Sequence, residues 1–157
     1  MRFQCRLGSL RKIRVKFCSC RRDHPRCAAA PFLIVNADIW CDYDFSRSHE
    51  FGLGKRLAHL VLVPNPPQHP AGDFSLDNGV VGNAPAPRYT YAGIAVISPQ
   101  LVAGITAGQK AQLAPLWRAA AERGEVTGEL YEGHWSDVGT PERLARLAAE
   151  LQARVKK

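Results

Sequence analysis

The first thirty residues contain a single glycine, Gly8. A loop that cradles phosphates on backbone N–H groups needs several closely spaced glycines, so no such loop lies there. Long apolar runs are absent from the whole chain. Each one is broken by polar residues far short of the roughly 20 that a membrane-spanning helix requires, and nothing near the start has the uninterrupted apolar core of a secretory signal. The expectation is a cytoplasmic protein with no membrane partner. Beyond Cys27 the only cysteine is Cys41. It has no C-x-x-C partner, and His49, His59, His69 and His134 form no H-x-x-x-H pair, so redox-dithiol and metalloprotease chemistry are unsupported. The lack of a G-x-S-x-G turn argues against a serine hydrolase.

What is present suits one globular domain: 157 residues, 46% hydrophobic, 22% charged, with 13 Gly and 11 Pro, neither fibrous nor disordered in composition. The net charge of +7 is unevenly spread. Residues 1 to 30 hold nine Lys/Arg against Asp23 alone, whereas residues 31 to 157 hold twelve bases and thirteen acids. Cysteine divides the same way, with Cys5, Cys18, Cys20 and Cys27 in the first stretch. Cys18-Ser-Cys20 is too tight for a usual zinc knuckle, and His24 supplies no spaced partner. Phe3 and Phe17 are the only aromatics there to stack on bases, so no nucleic-acid partner is expected. The chain therefore reads as a basic, Cys-rich segment at 1–30, unrelated or disordered, joined to a domain at 31–157.

Phe32-Leu33-Ile34-Val35 has the continuous apolar, β-branched pattern of a strand buried on both faces of a parallel sheet. Ala58–Val63 repeats it and stops at Pro64-Asn65-Pro66-Pro67. Asn78-Gly79 predicts a hairpin between short strands near 72–76 and 80–81. Tyr89–Ile97 reads as a long strand, bent or closely approached at Gly93. Leu113, Leu116, Trp117 and Ala120 predict a helix over about 109–123 that stops at Gly124. A short strand is expected over 130–135. Thr140 can then cap a terminal helix whose first position is Pro141 and whose apolar stripe is Leu144, Leu147, Ala148, Leu151 and Val155, with Lys156 and Lys157 at its carboxyl end. These elements describe an α/β domain that looks incomplete at its amino end.

Asp38 follows a strand, where open α/β sheets present ligand-binding groups, and Asp137 stands between a strand and a helix. Two such carboxylates meeting at one rim suit Mg²⁺, which takes one or two carboxylates and completes its octahedron with phosphates and water. The alternative is that both are solvated or capping acids; spacing leaves the two open. Asp42 and Asp44 lack the glycine and distal Glu of a calcium loop.

The blocks FLIVNADIWCDYDF (32–45), HLVLVPNPPQHPAGDF (59–74), YTYAGI (89–94) and VTGELYEGHWSDVGTPERL (126–144) together resemble, in order, the carboxyl-terminal portion of sugar-1-phosphate nucleotidyltransferases, with the uridylyltransferases of peptidoglycan recycling as the nearest branch. The resemblance implies a Rossmann-like nucleotidyltransferase sheet, truncated at its amino-terminal, nucleotide-binding half. It implies transfer of a uridylyl group from UTP to a sugar 1-phosphate with loss of pyrophosphate. It also assigns Asp38 and Asp137 as catalytic Mg²⁺ ligands, and Asn36, Asp73 and Gly93 as substrate-binding residues. The family's Asn-Gly-Asp reads Asn36-Ala37-Asp38 here, so a positive φ at Ala37 would strain the turn by about 1 kcal/mol, and Ser136 replaces a valine. Because the glycine-rich loop is missing, the chain alone is expected to show little or no transferase activity. Residues 1–30 are expected to be out-of-frame or mis-started translation. The strand at 32–35 is expected to leave an exposed sheet edge that invites self-association. The competing reading is a non-catalytic binding or assembly module.

Overall fold

The computed structural model of the chain describes residues 4–7, 11–14, 30–46, 52–85, 87–106 and 111–155. Within the first thirty residues these comprise the backbone of β1 (Gln4–Leu7) and β2 (Arg11–Arg14), which pair antiparallel in a sheet of their own. Cys18, Cys20, Cys27, Lys156 and Lys157, and the expectations placed on them, lie outside the described residues.

The main sheet is built from β3 (Phe32–Val35), β5 (Ala58–Val63), β6 (Phe74–Asp77), β7 (Val80–Gly82), β8 (Arg88–Ile97) and β9 (Val126–Leu130), in the order β3-β8-β5-β9-β7-β6. A separate ribbon pairs β4 (Ile39–Cys41) with β10 (Trp135–Asp137), and two helices, α1 (Leu113–Glu122) and α2 (Pro141–Val155), follow the strands that precede them. Period-two alternation gives the sheet two apolar faces. Leu60, Leu62, Ala95 and Ile97 pack on one side with Leu113, Trp117 and Ala120 of α1. Val61, Val63, Ala92 and Ile94 face the other side, where Tyr43, Tyr131 and Trp135 cover them.

Local chemistry accounts for the boundaries. Asn78 (φ 47) and Gly79 (φ 77) make the two-residue hairpin turn, which demands positive φ at both positions. The hairpin curls far enough for β6 to pair with the start of β8 and for β7 to pair with β9. Helix α1 ends in a Schellman motif at Gly124 (φ 68): Glu125 N–H donates to Ala120 O at 2.9 Å and Gly124 N–H to Ala121 O at 2.9 Å. Thr140 caps α2, its hydroxyl accepting from Arg143 N–H at 3.3 Å. Ala37 is not among the positive-φ residues, so the strain anticipated for it does not arise.

Two expectations need correction. Strand β3 pairs antiparallel with β8, only Ile34 of its four residues is buried, and it stands at the end of the sheet, so it is not enclosed in a parallel sheet. The parallel pair is β5 with β9. Residues 131–134 are not strand: the ring of Tyr131 fills the space beside Gly133, and this turn separates β9 from β10.

Candidate functional site

The β4–β10 ribbon decides where the acids go. Its register sets Asp137 opposite Ile39, and Val138 N–H donates to Asp38 O at 2.8 Å. Residues distant in sequence are thereby held side by side. A Cβ built on Gly139 would lie 3.0 Å from Asp137 Oδ1 and 3.3 Å from Asp38 Oδ2, so both carboxylates border one small space that stays open because residue 139 carries no side chain. Asp137 is only 2% exposed. Its Oδ1 accepts Gly139 N–H at 2.9 Å and its Oδ2 accepts the Arg143 guanidinium at 2.9 Å. Arg143 is brought there by the first turn of α2, directly after the Thr140 cap. Two hard oxygen donors around a cradle that a methyl would fill fit Mg²⁺. No cluster of three His, Cys, Asp or Glu that could hold a metal ion occurs among the described residues.

The acids stand at the edge of a cavity of about 510 Å³ that Asn36, Asp38, Asp73 and Asp137 all help to line. Asp73 is oriented from two sides: Tyr91 N–H donates to its Oδ2 at 2.9 Å, and His69 Nε2 lies 3.1 Å from its Oδ1. Burial, with the Asp73 charge behind it, pushes the Tyr91 hydroxyl above the ordinary phenol range, so it stays protonated. Asn36 is 5% exposed, and its backbone N–H donates to Gly93 O at 2.7 Å.

Gly93 behaves differently from its four companions. It is not a lining residue. Its φ is 82, and a Cβ there would come within 2.9 Å of the Asn36 Cβ. The glycine makes room for the Asn36 side chain, so any effect of Gly93 on a ligand passes through Asn36.

Sequence reasoning passed over Tyr91, Trp117, Arg118, His69 and Arg143, which also line the cavity. Helical spacing marks Trp117 as core, and it is fully buried, its ring centroid 4.7 Å from that of Tyr91. What spacing cannot tell is that the core it enters borders a cavity. Asn36 Oδ1, Tyr91 Oη and Trp117 Nε1 are buried without a hydrogen-bond partner among the described residues. Each such atom costs about 1–3 kcal/mol, a cost that cores avoid and binding sites tolerate. For Arg143 a signal existed, an arginine three residues beyond a predicted cap and facing back toward Asp137.

No family model matches the chain. It is 38% identical over 135 residues to N-acetylmuramate α-1-phosphate uridylyltransferase of Neisseria meningitidis serogroup B, an alignment covering 80% of this chain and 57% of that protein, in its carboxyl-terminal portion. A solved structure assigned as a glucose-1-phosphate thymidylyltransferase from Bacillus anthracis superimposes with a TM-score of 0.61 at 19% identity, over 76% of this chain and 53% of that one. The inositol-1-phosphate CTP transferase from T. maritima does so with a TM-score of 0.58 at 13% identity, over 81% and 56%. The chain has the sugar-1-phosphate nucleotidyltransferase fold. The resemblance read from the four sequence blocks is borne out, and the chain spans little more than half the length of the relatives it matches.

Proposed function

We propose that the cavity takes a sugar 1-phosphate and that Asp38 and Asp137 hold Mg²⁺ beside it, for transfer of a uridylyl group from UTP to N-acetylmuramate 1-phosphate or a similar sugar 1-phosphate with release of pyrophosphate. The convergence of the two carboxylates on the space at Gly139, at the rim of this cavity, carries the reading. Held by Asp38 and Asp137, the ion would supply Lewis-acid neutralisation of the charge that builds up during transfer. Arg143 restrains Asp137 and balances its charge. Asp73, held by Tyr91 N–H, presents acceptors to sugar hydroxyls, and Asn36 offers its amide to the sugar. Because the chain contains no glycine-rich phosphate loop before Pro31, it is expected to bind sugar phosphate and metal but to turn over little by itself. Isothermal titration with Mg²⁺ and a UDP-sugar tests this; heat unchanged in Asp38→Ala removes the site assignment.

The place of β3 at the end of the main sheet favours a second reading, an assembly module that pairs with another chain. Light scattering decides: a clean monomer over a range of concentrations argues against it.

A further inference from the structure

The cavity is lined by both acidic and basic side chains, and its basic groups are not equivalent. Arg143 is paired with Asp137 at 2.9 Å, and His69 sits on Asp73 at 3.1 Å. Arg118, in the second turn of α1, also lines the cavity, and its guanidinium makes no ion pair or hydrogen bond to a side chain among the described residues. Its charged plane lies over the Phe74 ring, 5.1 Å from the centroid, while its backbone carbonyl accepts from Asn83 Nδ2 at 2.9 Å. Phe74 is 2% exposed, so the platform is rigid. Stacking on an aromatic face restrains a guanidinium while leaving its in-plane N–H donors available. Strand register sets Arg118 apart from the Asp38–Asp137 pair: Phe74 pairs with Tyr89 at the start of β8, with Asp73 beside it, whereas Trp135 and Asn36, the neighbours of that pair, bond to Ala92 and Gly93 farther along the strand.

We infer that Arg118 is a specificity-determining residue that recognises a second anionic group on the ligand, a carboxylate carried by the sugar, while the phosphate lies at the Asp38–Asp137 end. The inference rests on the sugar-phosphate reading above and goes beyond it by naming the residue that distinguishes an acidic sugar phosphate from a neutral one. A guanidinium offers a planar, bidentate match to a carboxylate. The lactyl ether of N-acetylmuramate 1-phosphate supplies such a group and N-acetylglucosamine 1-phosphate does not, so the two form a matched pair of probes. Titrating the intact chain with each, in the presence of Mg²⁺, is expected to show tighter binding of the acidic sugar. Arg118→Gln is expected to weaken that binding about tenfold or more and leave the neutral sugar unchanged. Arg118→Lys is expected to recover part of the preference. Because only the ratio between the two sugars is diagnostic, general destabilisation of the variant cannot mimic the result. Equal weakening of both sugars, as a phosphate contact would give, or no change in either, overturns the role of Arg118 and leaves the sugar-phosphate reading standing. Failure of the unmodified chain to bind either sugar overturns that reading and this one together.

Discussion

Replacing Gly139 with alanine separates a metal cradle from a structural turn. Gly139 is not among the positive-φ glycines, so alanine fits its backbone, and loss of glycine freedom in the unfolded chain stabilises by about 0.4–1 kcal/mol. Against this, the new methyl would stand 3.0 Å from Asp137 Oδ1 and 3.3 Å from Asp38 Oδ2, closer than ordinary van der Waals contact. Asp137 cannot swing away easily, because Gly139 N–H and Arg143 hold its two oxygens, but Asp38 is only half-buried and can turn. The opposing terms leave a net change within about 1 kcal/mol, a shift of roughly 2–4 °C in Tm for a domain of this size. The effect on the ion is larger. Mg²⁺ demands oxygen ligands at about 2.0–2.1 Å in near-ideal geometry, and a methyl group in the space both carboxylates border denies it that approach. Calorimetric titration with Mg²⁺, beside thermal melts, is expected to show at least about a tenfold loss of affinity in a protein that melts almost as before. A Gly139→Ala variant that binds Mg²⁺ like the parent would refute the cradle. A fall in Tm well beyond 4 °C would show that residue 139 is glycine for the fold alone.

Arg143→Gln removes the guanidinium from a 1% exposed carboxylate side chain and is expected to cost about 2–3 kcal/mol, less than a fully buried pair because Arg143 is partly solvated. Millimolar Mg²⁺ should raise the Tm of this variant more than that of the parent, since the ion stabilises by binding the folded state; equal increments would contradict it. Gly93→Ala combines a left-handed backbone penalty of about 1–2 kcal/mol with overlap on Asn36, for a total of about 2–4 kcal/mol by urea denaturation. The double variant with Asn36→Gly should lose less than the sum of the two single variants, and strict additivity would show that the two positions do not interact. Finally, the Tyr131 hydroxyl holds Asp42 below the usual carboxylate range, and its own amide and Thr140 hold Glu142 below it. Their contribution is present above the unfolded carboxylate value and lost as pH falls through the lower folded one, so Tm should decline below about pH 4. Asp42→Asn with Glu142→Gln should flatten that decline, and an unchanged slope would count against it.

Features set by a few adjacent residues were legible from the chain alone. The Asn78-Gly79 turn, the Gly124 stop, the Thr140 cap with Pro141 behind it and the Ala58–Val63 strand all follow from φ preferences, capping chemistry and short apolar runs. Pairing partners were not. The pattern of Phe32–Val35 specifies a strand but is silent on direction, and its neighbour proved to be the antiparallel β8. The site divides in the same way. Asp38, Asp73, Asp137 and Asn36 sit at element ends, where polar residues attract notice. Trp117 and Arg118 sit within a helix whose periodicity says only that one face is inward. That Tyr91 meets Trp117 and that Phe74 lies beneath Arg118 depend on how α1 lies across the sheet, which no local pattern encodes.

The space bordered by the Asp38 and Asp137 carboxylates is built on a ribbon of two three-residue strands, and an isolated two-stranded ribbon is at best marginally stable in water. Its geometry must therefore be imposed from outside. Trp135 does this by donating its indole N–H to Ala92 O at 2.8 Å while its ring covers the second apolar face of the sheet. Tyr43, 5% exposed, packs there from the β4 side, edge-on to Tyr131 at 5.2 Å. The bulge in β8, where Val61 pairs with Ile94 and Leu62 already pairs with Tyr91, gives Ala92 and Gly93 the freedom to serve the ribbon and Asn36 at once. The same irregularity that interrupts the sheet thus fixes both the position of the carboxylates and the seat of Asn36, which is why residues far apart in the chain reach one cavity without a long helix or loop to carry them.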